Sequence, residues 1–264
     1  MLRLCPLASG STGNCIYVSS QSTHILVDAG LYGKEIVNRL AQIGIKPNQI
    51  EAILISHEHV DHIRGARILS NKFNIPVYIT EETAYYLGDS IANERMVRVM
   101  PVNGRIEIND IVIEPIPLPH DAIDPVGFCV HSDKTKISIA TDLGHIPAYL
   151  GARFADSDGI FIESNHDEDM LMKGSYPLFL KERIMGSRGH ISNSTAASFL
   201  AQYTGSRTQQ IWLGHLSRNN NIPELAYETV KKSLTAAGFD LEHVTQVTCL
   251  KHGEMGRVVK IGSV

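Results

Sequence analysis

The chain is poor in cysteine, in net charge and in long apolar runs, and each shortage narrows the reading. Four cysteines, Cys5, Cys15, Cys129 and Cys249, are spread over 264 residues with no C-x-x-C pair, each in an apolar, strand-like setting. That argues against a cysteine-built zinc staple and predicts buried free thiols, although Cys5 and Cys15 could face each other across a hairpin. A formal charge of −4 and a pI near 6.3 supply no overall basic field, so any polyanion site has to be local. No apolar run approaches membrane-spanning length, and Met1-Leu2-Arg3-Leu4-Cys5-Pro6 lacks the apolar core and cleavage site of a secretory signal. A cytoplasmic protein with no membrane partner is expected. No repeat, low-complexity tract or break in composition divides the chain, and 43% hydrophobic content supports a single domain, residues 1–264.

What the chain does have is a concentration of histidine. Ser56-His57-Glu58-His59-Val60-Asp61-His62 follows directly on the apolar run Ala52-Ile53-Leu54-Ile55, which places it at the end of a strand. His57 and His59 can approach one cation from a single turning segment, while Asp61 and His62 point to the other side of the turn and can hold a second. Imidazole and carboxylate suit zinc, manganese or iron better than magnesium. A structural zinc site is normally closed by four ligands, often cysteine, and no cysteine lies near this run. An open, catalytic metal site is the expectation.

Around this run the pattern alternates between strands and helices. Strands are predicted at Arg3 to Leu7, Asn14 to Ser19, His24 to Asp28, Glu51 to Ile55 and Val77 to Ile79. The Gly/Ser stretch from Ala8 to Gly13 reads as a hairpin turn near the site or as a backbone cradle for phosphate. Asp28 reads as a residue that orients the metal loop rather than a ligand. Helices are predicted over Tyr32 to Ile43, Ile63 to Phe73 and, capped by Thr80-Glu81-Glu82-Thr83, up to Leu87. Short strands follow at Val97 to Met100, Arg105 to Ile108, Ile111 to Leu118, Val126 to His131, Lys136 to Ala140 and Gly159 to Ile162. Helical pattern returns in Tyr176 to Met185 and Asn193 to Tyr203, then a strand at Gln209 to Leu213 and a Pro223-started helix to Ala237. Val244 to Leu250 and Gly256 to Ile261 close the chain as strands. Polar residues collect where strands end, which predicts two packed sheets with helices outside, a four-layer αββα sandwich.

Three of those strand ends complete a two-metal set: His120 after Pro119, Asp142 in Thr141-Asp-Leu-Gly-His145, and His215 after Gly214. The ordered set His57-x-His59-x-Asp61-His62, His120, Asp142 and His215 resembles the metallo-β-lactamase superfamily over essentially the whole chain. That resemblance implies the αββα fold and two divalent metal ions (Zn, Mn or Fe). His57, His59 and His120 would hold one, Asp61, His62 and His215 the other, and Asp142 would bridge them. Ala8-Ser-Gly-Ser-Thr-Gly-Asn14, Glu163-Ser-Asn-His-Asp167 and Gly214-His-Leu-Ser217 with Asn219 and Asn220 look like its YycJ/WalJ-like branch. That branch implies 5′→3′ exonuclease action on DNA ends and a functional link to a cell-wall two-component system.

Two cations about 3.5–4 Å apart lower the pKa of a shared water and polarise the group under attack, so a bridging hydroxide is the expected nucleophile. Glu163-Ser164 with Gly189-His190-Ile191-Ser192 resembles a glutamate and histidine pair of tRNA-processing phosphodiesterases in the superfamily. His190 then reads as a general acid or phosphate contact oriented by Glu163, or else as the flank of the helix at Asn193. Asp61, Asp142, His190 and Glu163 are the expected catalytic residues. Arg188, Arg218, Ser217, Asn219 and His166 are the expected substrate contacts, with Lys173, Lys181 and Arg183 as further local positive charges that a solvated helix face also explains. Ser217 and Asn219 are explained nearly as well by a turn. His145 reads as a cap or a support; His24, His131, His243 and His252 read as ordinary histidines.

The leading reading is a metal-dependent phosphodiesterase acting on double-stranded DNA. The alternatives are a thioesterase of the glyoxalase II kind, a hydrolase of small phosphodiesters, and a metal-stabilised regulatory protein. A secreted β-lactamase would want an export signal, a flavodiiron reductase a flavin domain, and a β-CASP nuclease a large insertion between Asp142 and His215.

Overall fold

The computed structural model describes residues 1–241 and 245–262. His243, and the Val244 start expected for a late strand, lie outside the described residues. One seven-stranded sheet contains Leu2–Ala8 (β1), Cys15–Ser19 (β2), His24–Val27 (β3), Ala52–Leu54 (β4), Val77–Ile79 (β5), Val97–Val99 (β6) and a late strand Val259–Ile261 (β14). A second contains Ile106–Ile108 (β7), Ile111–Pro117 (β8), Val126–Ser132 (β9), Thr135–Ala140 (β10), Gly159–Glu163 (β11), Gln210–Gly214 (β12) and Gln246–Cys249 (β13). The orders are β14-β1-β2-β3-β4-β5-β6 and β13-β12-β11-β10-β9-β8-β7.

Strand alternation builds three apolar layers from these two sheets. In β1, β2 and β3 the residues Leu2, Leu4, Ile16, Val18, Ile25 and Val27 face the second sheet, where they meet Ile137, Ile139, Phe161 and Trp212. Their neighbours Cys5, Leu7, Cys15, Tyr17 and Leu26 face outward and are covered by Ile36 and Leu40 of Gly33–Gln42 (α1) and Leu69 of Ala66–Phe73 (α3). On the far side Ile160, Ile162, Ile211 and Leu213 pack under Ala148–Phe154 (α5), Asn193–Tyr203 (α8) and Pro223–Ala236 (α9). Sheets buried on both faces explain why these strands read as nearly continuous apolar runs. The four-layer αββα sandwich expected from the sequence is the observed architecture.

Strand direction decides where the chemistry sits. β3, β4, β5 and β6 run parallel, as do β10, β11, β12 and β13, while β8 is antiparallel to β9 and β9 to β10. The carboxyl ends of β8, β10, β11 and β12 therefore lie along one edge of their sheet, the place where open α/β sheets collect ligands.

Some expectations need correction. The helix expected over Ile63 to Phe73 is two helices, Val60–Ile63 (α2) and α3, interrupted at Gly65. There the chain runs against the 29–31 segment: Gly65 N donates to Ala29 O at 2.7 Å, and a side chain would meet Leu31 O at 2.5 Å. The helix expected through Leu87 is found, as Glu81–Leu87 (α4), but its expected cap is not: Thr80 directs its hydroxyl to Thr83 rather than to a backbone amide. Two short helices, α5 and Glu168–Lys173 (α6), were not anticipated, and the helix expected from Tyr176 starts at Leu178, as Leu178–Met185 (α7). The strand expected from Gly256 to Ile261 pairs only over β14, against Leu2 to Leu4. The four cysteines are free, and three of them are buried.

Candidate metal centre

The H-x-H-x-D-H run leaves β4 at the edge of the first sheet, and its histidines are aimed by what their second nitrogens touch. Asp28, at the end of β3, accepts from Ser56 N (2.8 Å) and Ser56 Oγ (2.9 Å) and lies 2.7 Å from His62 Nδ1. Ser56 Oγ is 2.9 Å from His57 Nδ1. His120 Nδ1 donates to Gly189 O at 3.0 Å, and His215 Nδ1 donates to Glu163 at 2.9 Å. Each of these contacts fixes a tautomer whose Nε2 points into the site, the arrangement a metal-binding imidazole needs. His59 turns the other nitrogen inward: its Nδ1 is 3.0 Å from His57 Nε2.

Ligand atoms of His57, His59 and His120 lie within 4.8 Å of one another, as do those of Asp61, His62 and His215. Asp142 sits between the two groups, with Oδ2 3.2 Å from His62 Nε2 and Oδ1 3.7 Å from His120 Nε2 and 3.4 Å from His215 Nδ1. Two of these inward atoms, Asp142 Oδ2 and His215 Nε2, are buried with no hydrogen-bond partner among the described residues. A buried polar atom left in that state costs about 1–3 kcal/mol, a penalty that a cation placed between them removes. The residues present thus fit divalent metal ions.

The backbone is bent to make this possible. Asp28, Asp142 and His215 all have positive φ, at 60°, 56° and 51°, each just past the end of a strand. Left-handed backbone at a residue other than glycine costs of order 1–3 kcal/mol and persists only where the surroundings hold it. Here the holding contacts include His215 N donating to Ser9 Oγ at 2.7 Å and Asp142 N donating to Glu163 Oε2 at 3.0 Å. Gly30 clears the path of the loop itself, because a Cβ there would sit 1.6 Å from Asp61 O.

Electrostatics divides the histidines into two kinds. Burial, helped by the nearby His62, pushes His57 well below the usual imidazole range, and burial likewise lowers His120 against the pull of Asp142. Burial also opposes charge on His62 and His215, but carboxylates outweigh it. Asp28 and Asp142 hold His62 well above the usual range, and Asp142, Asp61 and Glu163 raise His215 to about 10. Glu163 is itself buried, yet His190 and His215 pull its pKa down to about 2.

The other expected site residues divide sharply. His190 stands in the cleft with Nδ1 2.9 Å from Glu163 Oε2; burial resists its protonation, but Glu163 raises it. Glu163 is 0% exposed, so it reaches no substrate and acts through His190, His215 and the Ile191 amide. Arg188 and Arg218 are exposed and line the cleft with Ser217, whose hydroxyl also accepts from Asn220 N. Asn219 does not line it; the amide donates to the Tyr176 hydroxyl, which does. His166 is 2% exposed and lies behind the wall, its residue bridged to Ser192, so the ring offers no face to a substrate in the cleft. His145 is an exposed residue that ties its loop to Ser187 O. Lys173 pairs with Asp169 and Lys181 with Met172 O, but Arg183 lines the cleft and pairs with Asp121 at 2.7 Å, beside His120.

Sequence reasoning missed a supporting layer. Asn14 Nδ2 reaches His62 Nε2 at 3.0 Å and its Oδ1 accepts from Gly10 N, while the Gly/Ser stretch is, as expected, the hairpin turn between β1 and β2, with Ser11 in the cleft. Behind Glu163, Asn221 donates to Ser164 O, Asn165 O and Asn193 Oδ1, tying the segment after β11 and the start of α8 to the loop that leads into α9. The asparagines were visible in the sequence, but their partners are distant in it.

Fold and site together define a metal-dependent hydrolase of the metallo-β-lactamase fold. The chain belongs to the Beta-lactamase superfamily, whose domain matches residues 23–215. It is 39% identical over 238 residues to the exodeoxyribonuclease WalJ of Streptococcus pneumoniae serotype 2, covering 88% of this chain and 87% of that protein. It is 34% identical over 245 residues to the exodeoxyribonuclease YycJ of Bacillus anthracis, covering 91% and 92%. Among solved structures, the metallo-beta-lactamase fold protein YhfI from Bacillus subtilis superposes with a TM-score of 0.72 at 13% identity, over 96% of this chain and 98% of that one. Human tRNase Z, short form, gives 0.67 at 17% identity, over 99% and 100%, a likeness of fold alone.

Proposed function

We propose that this protein is a two-metal phosphodiesterase that removes nucleotides from the 5′ ends of double-stranded DNA in the cytoplasm. The observation that carries the proposal is the arrangement of His57, His59, His120, Asp61, His62 and His215 in two inward-facing groups with Asp142 between them. The names of the relatives, both exodeoxyribonucleases matched over most of their length, support DNA as the substrate. The functional link to a cell-wall two-component system belongs to the same reading, carried by the resemblance.

Zinc, manganese or iron bound by these residues would supply a nucleophile from water at neutral pH and charge stabilisation at the phosphorus. The protein's own groups do the rest. Asp142 reaches toward both ligand groups and sets the spacing between them. Arg188 and Arg218 meet the phosphates along the cleft, positioning the strand without reading its bases. His190, pinned to Glu163 by Nδ1, keeps its other nitrogen free to protonate the departing oxygen, the role of a positioned general acid. No helix among the described residues is long and apolar enough to cross a membrane.

The test is digestion of linear double-stranded DNA labelled at the 5′ or the 3′ end by Mn- and Zn-loaded protein, beside an Asp142→Ala control. Progressive release from the 5′ end that disappears in the variant is the expected result. No release by fully metal-loaded protein would sink the proposal and turn attention to thioesters and small phosphodiesters.

A further inference from the structure

One wall of the cleft is α7, which contributes Leu180, Arg183 and Ile184. The same helix carries Phe179 at 71% exposure and Leu178 at 64%. Phe179 precedes Arg183 by four residues, so the two are neighbours on one helix face, and Phe179 is exposed on the helix whose Arg183 lines the cleft. Tyr176, which leads into the helix, lines the cleft as well. A single exposed apolar side chain is ordinary on a protein surface. An exposed aromatic ring one helical turn from Arg183, on the wall of a cleft also lined by Arg188 and Arg218, suits a ligand that carries both phosphates and flat apolar faces.

The size of the cleft adds an independent constraint. Its volume is about 320 Å³, at the low end of the roughly 300–1,000 Å³ typical of small-molecule sites. Of the residues that line it, His120, Asp142 and His215 are at most 4% exposed, so the metal-facing groups lie at its floor, below the level at which a paired and stacked end would rest. A strand whose backbone follows the arginines must therefore part from its complement before the scissile phosphate reaches the metal ligands, as in enzymes that draw a base out of the stack.

Resting on the nuclease reading above, we infer that the DNA end enters the cleft as an unpaired strand and that Phe179 stacks on a base just outside it. The ring replaces part of the stacking lost when the terminal pairs open. Base–aromatic stacking is tolerant of sequence, which suits an enzyme that must pass along any strand. Phe179 is thus a specificity-determining residue for how an end is opened, remote from the reacting atoms.

The experiment compares wild-type protein, Phe179→Ala and Phe179→Trp, all metal-loaded, on blunt duplexes whose 5′ ends are either G·C-paired or mismatched over the last few positions. Wild type is expected to degrade the mismatched end faster. Phe179→Ala should slow the paired end by about tenfold, slow the mismatched end much less, and be rescued by Phe179→Trp. Equal rates on both ends in wild type, or rates indifferent to Phe179, overturn the inference while leaving the nuclease reading intact. A change in oligomeric state on gel filtration with unchanged DNA kinetics also overturns it, by assigning the exposed face to a second copy of the chain. No hydrolysis of either end by wild type brings down the nuclease reading, and this inference with it.

Discussion

Oε2 of Glu163 lies 2.9 Å from Nδ1 of His215, and the same oxygen lies 2.9 Å from Nδ1 of His190. One buried carboxylate atom thus orients a metal-facing imidazole and the cleft histidine together, while Oε1 accepts from the Ile191 amide at 2.8 Å and anchors the segment that carries His190.

Replacing Glu163 by glutamine preserves shape but removes the charge and one acceptor oxygen. Residues that orient metal ligands typically contribute 10- to 100-fold in affinity or activity. Glu163→Gln should therefore lose at least about 100-fold in kcat, because two histidines are misdirected at once, and Glu163→Asp should recover little, since a shorter side chain cannot reach both. Steady-state kinetics with metal content measured on the same samples checks this. Activity lost at full metal occupancy would locate the damage at His190, whereas loss of metal would locate it at His215.

The two kinds of histidine predict an asymmetry in metal loading. His57 and His120 are held below the usual imidazole range by burial, so they meet a cation already neutral. His62 and His215 are raised, the latter to about 10, and have to give up protons when a cation arrives. Titration calorimetry near pH 7 in buffers of different ionisation heat should show about two protons released as the Asp61, His62 and His215 group fills, and fewer for the other. Affinity at the first of these should fall as the pH is lowered; at the second it should fall less steeply, because His57 and His120 are already neutral. For the metal-free protein the sign is opposite. Raised histidines stabilise its fold fully below about pH 6.5, the unfolded value, and that contribution is lost as pH rises through the folded values. Equal proton release at the two groups would contradict this picture.

The metal run was legible because its ligands are close in sequence and sit on a strand end, where local spacing already dictates geometry. His120, Asp142 and His215 were found as polar residues closing apolar strands, and parallel strand direction brings those ends together. The supports were harder to see. Ser9 bonds a residue 206 positions away and Asn221 one 57 away, and no local pattern encodes such a pairing. His166 shows the converse: next to a strand end like the others, it is carried behind the wall by the bridge at Ser192. The short helices α5 and α6, of seven and six residues, are below the length at which helical periodicity declares itself.

The arginines of the cleft give the last prediction, and it turns on a mismatch of charge. The chain as a whole is acidic, at −4, so long-range attraction to DNA is absent and binding must come from a few local contacts. Arg188 and Arg218 are exposed in the cleft, whereas the third arginine, Arg183, is already paired with Asp121. Neutralising a phosphate releases counterions, so each such contact should appear as about one unit in the slope of log affinity against log salt. Arg218→Ala and Arg188→Ala should each raise KM for DNA several-fold at low salt, reduce that slope by about one, and leave the two converging with wild type as salt increases. Asp121→Asn should do the reverse, freeing Arg183 to meet phosphate and lowering KM. Measurement of KM across a salt series separates these cases: a parallel displacement with unchanged slope would assign the arginines to the shape of the cleft and not to phosphate.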